Sequence, residues 1–324
     1  MASQVLVARE TYQTTKAFNA ISMFDLVVSG HTTMDFIKSE RVKCSRWTPG
    51  GAAVYASLAA ASLGASVSLV SKVGSDFPEE WITWMAKLGV DTNGIRRVGA
   101  PTTRFVLDYL DNERSICLKA LCEPILLGDL PADTQFRAVH IGSVAGEISF
   151  DTAIEISKRA ELVSLDPQGF VRRFDERGYA HLEKWFDRRL LGRTHVFKAS
   201  AEELEVVAGT SKVKEALVKI NETGPHIAMA TMGWKGAVIF TVEDGCYLVP
   251  AHEPSRLVDL TGAGDAFIGA FLAEYLRTKD PLWSAAIGSS SASFVIEGLG
   301  PTRFGARDEV IERARDVFKR IRRI

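Results

Sequence analysis

Val258-Asp259-Leu260-Thr261-Gly262-Ala263-Gly264-Asp265-Ala266-Phe267-Ile268-Gly269-Ala270-Phe271-Leu272-Ala273-Glu274-Tyr275-Leu276 runs from a glycine-rich turn straight into a helical pattern with few polar residues. Ile268, Phe271, Leu272, Tyr275 and Leu276 recur at the spacing of one helical face. Much of the remaining circumference is Ala, Phe or Gly, so the helix is expected to be buried on most sides. The first amides of a helix have no partner within it. Together with the positive end of the helix dipole, they make a Gly-x-Gly turn an anion site. Asp265 falls in the first turn, beside that site. Its carboxylate is either a helix cap or a base next to a phosphoryl group.

Three readings compete. The first is a core helix whose early amides Asp265 satisfies. A dinucleotide fingerprint fails because Phe267 occupies the third glycine position, and a Walker A loop fails because no Gly-Lys-Ser/Thr follows. The third is a phosphoryl-transfer site with an anion hole and a base. Asp259-Leu260-Thr261-Gly262-Ala263-Gly264-Asp265 resembles the C-terminal signature of the ribokinase-like (PfkB) carbohydrate kinases. Leu260 departs from the small residue usual there, while the Gly-Ala-Gly-Asp core is intact. The resemblance extends over nearly the whole chain from about Phe24. It implies a ribokinase-like α/β fold: a doubly wound, mainly parallel sheet flanked by helices, with a small β lid. It also implies ATP and Mg²⁺, with Asp265 as catalytic base and the amides of Gly262, Ala263 and Gly264 on the phosphoryl oxygens.

Composition agrees with such a domain. The 324 residues are 46% apolar, enough for a large core, and carry a net charge of −1. The short basic run at 319–323 reads as the solvated end of the last helix, so no nucleic-acid partner is expected. Cys44, Cys117, Cys122 and Cys246 lack metal-site spacing and read as free thiols, which fits a reducing, cytoplasmic setting. No apolar run is long enough to span a bilayer, so no membrane partner is expected. Residues 1–23 are polar and mixed, without the apolar core of a signal peptide, and read as an extension outside a kinase domain spanning 24–324.

Residues 24–30 read as a buried parallel strand, with His31-Thr32-Thr33-Met34-Asp35 at its carboxyl end. Ligands of open α/β sheets collect at that end. Asp35 is therefore a turn cap or an acceptor for substrate hydroxyls, and the family resemblance implies the second. Gly50-Gly51-Ala52-Ala53-Val54-Tyr55 opens a small-residue helix, and paired glycines let backbone approach a ligand closely. This stretch resembles the family's Gly-Gly motif, which lines the sugar site. Tyr55 stands where many sugar kinases have Asn, which points away from ordinary ribose or fructose. Residues 36–49, with two alternating runs at 104–110 and 114–120, predict a lid built from about 36–49 and 101–123. Such a lid is compatible with a monomer or with a homodimer paired through it.

Beyond residue 138, strands at 138–142, 161–166, 194–198 and 226–231 alternate with helices at 149–160, 179–191 and 201–209. That alternation predicts parallel βαβ units, and an amphipathic helix at 307–322 closes the chain. Asp166-Pro167-Gln168-Gly169-Phe170-Val171-Arg172 follows one strand. Many family members have Asp-x-Asn-x-Arg here. The string found resembles the subgroup containing the myo-inositol kinases, and implies that Gln168 binds a polyol while Asp166 either joins it or caps the strand end. Lys198-Ala199-Ser200-Ala201-Glu202-Glu203 aligns with the family's Asn-x-x-Glu element, with Ser200 in place of Asn. The alignment implies Lys198 and Ser200 near the nucleotide and Glu203 on Mg²⁺, although an acidic helix N-terminus fits the same residues. Thr231-Met232-Gly233-Trp234-Lys235-Gly236 resembles the family's nucleotide loop, implying contacts from Thr231, Gly233, Lys235 and Gly236.

The function expected from these readings is transfer of the ATP γ-phosphoryl group to a hydroxyl of a small polyol, myo-inositol first. A sugar or nucleoside kinase on the same fold is the alternative. A catalytically silent nucleotide- or sugar-binding regulator is the competing class.

Overall fold

The structure is a computed structural model that describes residues 24–39, 44–110, 113–131 and 136–324. The extension expected over residues 1–23, and the turn at 111–112 of the expected hairpin, lie outside the described residues.

The main sheet has eleven strands. From one edge the order is Arg322–Arg323, Gly245–Val249, Ala237–Thr241, Ile227–Thr231, Val196–Ser200, Ala160–Leu165, Phe136–Ile141, Leu26–Ser29, Val67–Gly74 and Val90–Asp91, with Ile95–Val98 also on Val67–Gly74. Pairing is parallel from Ile227–Thr231 through Val90–Asp91 and antiparallel in the three-strand edge. Leu26–Ser29 and Val67–Gly74 are buried at every position. Apolar runs without alternation belong in such a sheet, because helices cover both faces. The expected doubly wound architecture is what the chain forms.

Two hydrophobic clusters fill the two faces. In the larger, the helices Ala52–Ser62 and Pro281–Val295 pack on Ala263–Thr278, the helix of the opening stretch. That helix is buried along both its Phe271 and Gly269 sides, as its apolar circumference predicts. Phe271 alone, fully buried, contributes on the order of 2 kcal/mol relative to exposure.

A separate four-stranded sheet runs Cys44–Gly50, Thr33–Ser39, Arg104–Leu110, Glu113–Ala120. Both expected strand pairs form, and they join through a parallel pairing of Thr33–Ser39 with Arg104–Leu110. Ile37, Phe105 and Leu107 turn inward onto Ala52 and Val144, so one face of this sheet caps the main domain.

The helix expected over 179–191 is not there. Ala180–Leu182 is a strand paired antiparallel with Arg172–Phe174, and only Arg188–Leu191 is helical. Gly178 at φ 87° reverses the chain, and the following residues alternate half-buried and exposed, a strand period. Asp187 then caps the short turn through the amides of Arg189 and Leu190.

Candidate active site

Strand ends gather the candidates. Asp35 follows Leu26–Ser29, Asp166 and Gln168 follow Ala160–Leu165, and Lys198 and Ser200 close Val196–Ser200. Thr231 closes Ile227–Thr231, so all face the carboxyl side of the parallel sheet.

The glycine turn sits at their centre. Gly262 caps the Ala263–Thr278 helix in the left-handed region, at φ 76°. A Cβ there would overlap the Tyr55 ring as well. Asp259 fixes the turn: one carboxyl oxygen accepts from the amide (2.9 Å) and hydroxyl (2.7 Å) of Thr261, the other from the Gly300 amide at 2.9 Å. Sequence reasoning gave Asp259 no role of its own. Its signal was the Asp-x-Thr pattern of a side chain bonding two residues on. Gly262→Ala is expected to lower stability by roughly 2 kcal/mol from the backbone alone, before any cost of moving Tyr55. Thermal and urea unfolding of the variant check this, and a loss under about 1 kcal/mol would contradict the strain.

The turn divides two cavities. Ala263 and Gly264 face a large one of about 600 Å³, while Thr261, Gly262 and Asp265 face a small one of about 50 Å³. Asp265 keeps 15% of its side chain accessible there. The structure brings Asp35, Gly51, Tyr55, Gln168, Gly262 and Asp265 onto the small cavity. Gly50 stands one residue back, where any Cβ would overlap the Asp35 carboxyl, and Asp35 accepts from the Thr33 hydroxyl at 2.6 Å. Arg172 also lines it, with Phe105, Leu107 and Ile116 from the separate sheet. Nothing in the sequence around Arg172 marks it for this site, since its reach across the cavity arises only on folding.

The large cavity takes Thr231, Gly233, Gly236 and Gly264 of the expected nucleotide residues. Leu257, Leu260, Phe267 and Ile296 make it strongly apolar. Leu260, the departure from the signature, is thus a wall of this space. The Lys235 side chain is exposed instead, with its ammonium 5.7 Å from the Trp234 ring centre.

Lys198, Ser200 and Glu203 line neither cavity. Ser200 and Glu203 form a reciprocal capping box: the Ser200 amide donates to the Glu203 carboxylate at 2.9 Å, and the Glu203 amide to the Ser200 hydroxyl at 3.2 Å. The other Glu203 oxygen lies 3.7 Å from the Arg172 guanidinium. Lys198 is buried directly behind the turn, its ammonium 2.9 Å from where a Cβ on Gly264 would stand. It donates to Asp166 at 2.7 Å and lies 3.9 Å from Asp265. Burial works to lower its pKa, but the charges of Asp166, Asp265 and Glu203 outweigh it and hold the amine above its ordinary range. Asp166 also accepts from the Gln168 amide at 3.0 Å, so one carboxylate ties Lys198 to the segment bearing Gln168 and Arg172.

Among the described residues no cluster of three or more His, Cys, Asp or Glu side chains is gathered for a metal ion. Nor is any helix there long and apolar enough to cross a membrane.

A sequence profile of the pfkB family carbohydrate kinases matches residues 23–306. A cytidine kinase of Thermococcus kodakarensis is 27% identical over 86% of this chain and 98% of its own length. An inositol 3-kinase of Oryza sativa subsp. japonica is 28% identical over 82% of this chain and 68% of its own. Among solved structures, a pyrophosphate-dependent kinase in the ribokinase family, complexed with a pyrophosphate analog and myo-inositol, superposes with a TM-score of 0.76. It shares 22% identity, covering 88% of this chain and 98% of that one.

Proposed function

The chain belongs to the pfkB family of carbohydrate kinases, phosphotransferases with a hydroxyl acceptor, and we propose that it moves the γ-phosphoryl group of ATP onto a small polyol, myo-inositol first. One observation carries the reading: a single turn presents Ala263 and Gly264 to a large apolar cavity and Asp265 to a small polar one. A donor in the first and an acceptor in the second would meet across that turn.

The acceptor hydroxyl would lose its proton to Asp265 as its oxygen attacks phosphorus. Gly262, Ala263 and Gly264 amides would steady the phosphoryl oxygens, since phosphoryl transfer rests on positioning and charge stabilisation. Mg²⁺ would screen the β and γ phosphates. It keeps most of its waters and needs one or two carboxylates. Glu203 lines neither cavity, and its two oxygens lie against the Ser200 amide and the Arg172 guanidinium, so it would act on such an ion only through water. The separate sheet would exclude water, a competing acceptor.

Two features support the choice of substrates. Asp35, Gln168 and Arg172 set hydrogen-bonding groups around the small cavity, while Phe105, Leu107 and Ile116 cover it with hydrocarbon. A ring with a hydroxyl on every edge and CH faces matches that pattern better than a nucleoside, whose base needs apolar room of its own. Leu257, Leu260, Phe267 and Ile296 suit an adenine base in the donor cavity, whereas pyrophosphate would leave them uncovered. The cytidine kinase relative favours the second reading, a nucleoside acceptor.

A coupled assay across inositol isomers, pentoses, hexoses and nucleosides, with ATP or pyrophosphate as donor, tests this. The expected result is turnover with ATP and a kcat/KM for myo-inositol at least roughly tenfold above any nucleoside. Preference for cytidine moves the acceptor to the second reading, and turnover with pyrophosphate alone rejects the donor. No turnover with any pair would make the chain a silent binder.

A further inference from the structure

His31 lies where the chain leaves the main sheet for the separate one, between Leu26–Ser29 and Thr33–Ser39. It is fully buried. Its Nε2 is 2.9 Å from the Glu123 carbonyl, and its Nδ1 is 2.8 Å from the Thr103 hydroxyl. Thr103 precedes the strand Arg104–Leu110, and Glu123 follows Glu113–Ala120. One imidazole thus touches the base of three strands of the four-stranded sheet.

The hydrogen bonds fix the ring's state. A carbonyl only accepts, so Nε2 carries the proton and Nδ1 accepts from Thr103. The Thr103 oxygen in turn accepts from the Cys122 amide at 2.9 Å, which closes the chain of donors. Burial pushes the His31 pKa down, outweighing the upward pull of the Glu147 carboxylate, so the ring stays neutral. Lys72, paired with Asp129 at 3.0 Å, is the nearby cation. The backbone is tied equally firmly. Glu147 is buried and accepts from the amides of His31 (3.0 Å), Val144 (2.9 Å) and Ala145 (2.8 Å). Val144 and Asp35, Phe105, Leu107 and Ile116 line the small cavity, and each stands on a segment tied at this node.

We infer that His31, with Thr103 and Glu147, is a positioning node: it sets how the four-stranded sheet stands over the acceptor cavity and touches no reacting atom. The placement rests on the geometry. Its kinetic consequence rests on the kinase reading, with the acceptor in the small cavity. A misplacement of about 1 Å at a distant support can cost about 10²-fold in rate, so a node of this kind has leverage.

The test uses the full chain. His31→Ala and Thr103→Val are made singly and together, with Thr103→Ser keeping the hydroxyl. Hydrogen–deuterium exchange is expected to accelerate in residues 33–39 and 104–110 while the main sheet keeps its protection. The double variant should fall short of the sum of the singles, because both remove the same His31–Thr103 bond. Thr103→Ser should match the parent chain. With myo-inositol as probe, acceptor KM is expected to rise roughly tenfold, with the KM for ATP held within about twofold. Unchanged exchange in those strands, additive effects, or loosening spread over the main sheet would overturn the node. If myo-inositol is not phosphorylated at all, the acceptor reading fails, and the exchange pattern alone still decides for or against the node.

Discussion

Asp265→Asn is expected to lower kcat by about 10³-fold, the middle of the range for a lost general base, with the KM for ATP nearly unchanged. Asparagine keeps the size of the side chain and its place in the first turn of the Ala263–Thr278 helix, but cannot take up a proton. The geometry makes the choice of roles testable. A capping side chain is worth about 1 kcal/mol of stability, so if capping were its function, Asn, itself a good cap, would cost little in either stability or rate. A base facing the acceptor cavity instead loses rate and almost nothing else. Single-turnover measurements with saturating ATP and acceptor separate chemistry from product release. A variant turning over at near-parental rate would remove Asp265 from the base position while leaving the fold and the two cavities untouched.

Most of the fold was legible because its signals are local. Apolar runs of strand length alternating with helical periods dictated the parallel sheet, and the apolar circumference at 266–276, interrupted only by Glu274, dictated a central helix. Segment 179–191 misled because its composition suits a helix, while Gly178 at φ 87° and the partner strand Arg172–Phe174 decide otherwise. The helix Val213–Asn221 was passed over although Ala216, Leu217 and Ile220 carry its buried face in plain spacing. The parallel pairing of Met34 with Arg104 could not be read, since nothing local records a partner 70 residues away.

The site divides the same way. Asp35, Gly51, Tyr55, Gln168 and Asp265 each lie within a few residues of a main-sheet strand end or a glycine turn, features that sequence marks, and they share one cavity. Arg172, Phe105, Leu107 and Ile116 reach it only through folding. The motif around Lys198 shows the limit of resemblance. It implies residues beside a nucleotide, and in the structure Ser200 and Glu203 form a capping box, Lys198 lies behind the turn, and none of the three lines either cavity.

Lys198→Met should lower stability by about 3–5 kcal/mol, the scale for removing one partner of a buried ion pair. Methionine fills nearly the same volume, so the loss is electrostatic rather than a cavity. Asp166, 2.7 Å away and 1% exposed, would be left without its buried cation, and Asp265 and Glu203 would lose their common one. The pH dependence follows from the direction of the shift. Lys198 is raised above its ordinary value, so its contribution is complete below about pH 10.5 and is lost only as pH rises through the folded value. Between about pH 6 and 9 the parent chain should show no dependence from this group. Lys198→Met combined with Asp166→Asn should regain part of the deficit at neutral pH, since the two sites are coupled. Urea midpoints at constant m-value read all three chains. A deficit below about 1 kcal/mol, or one that the second substitution deepens, would mean that desolvation already cancels the pair and that Lys198 does not hold the turn in place.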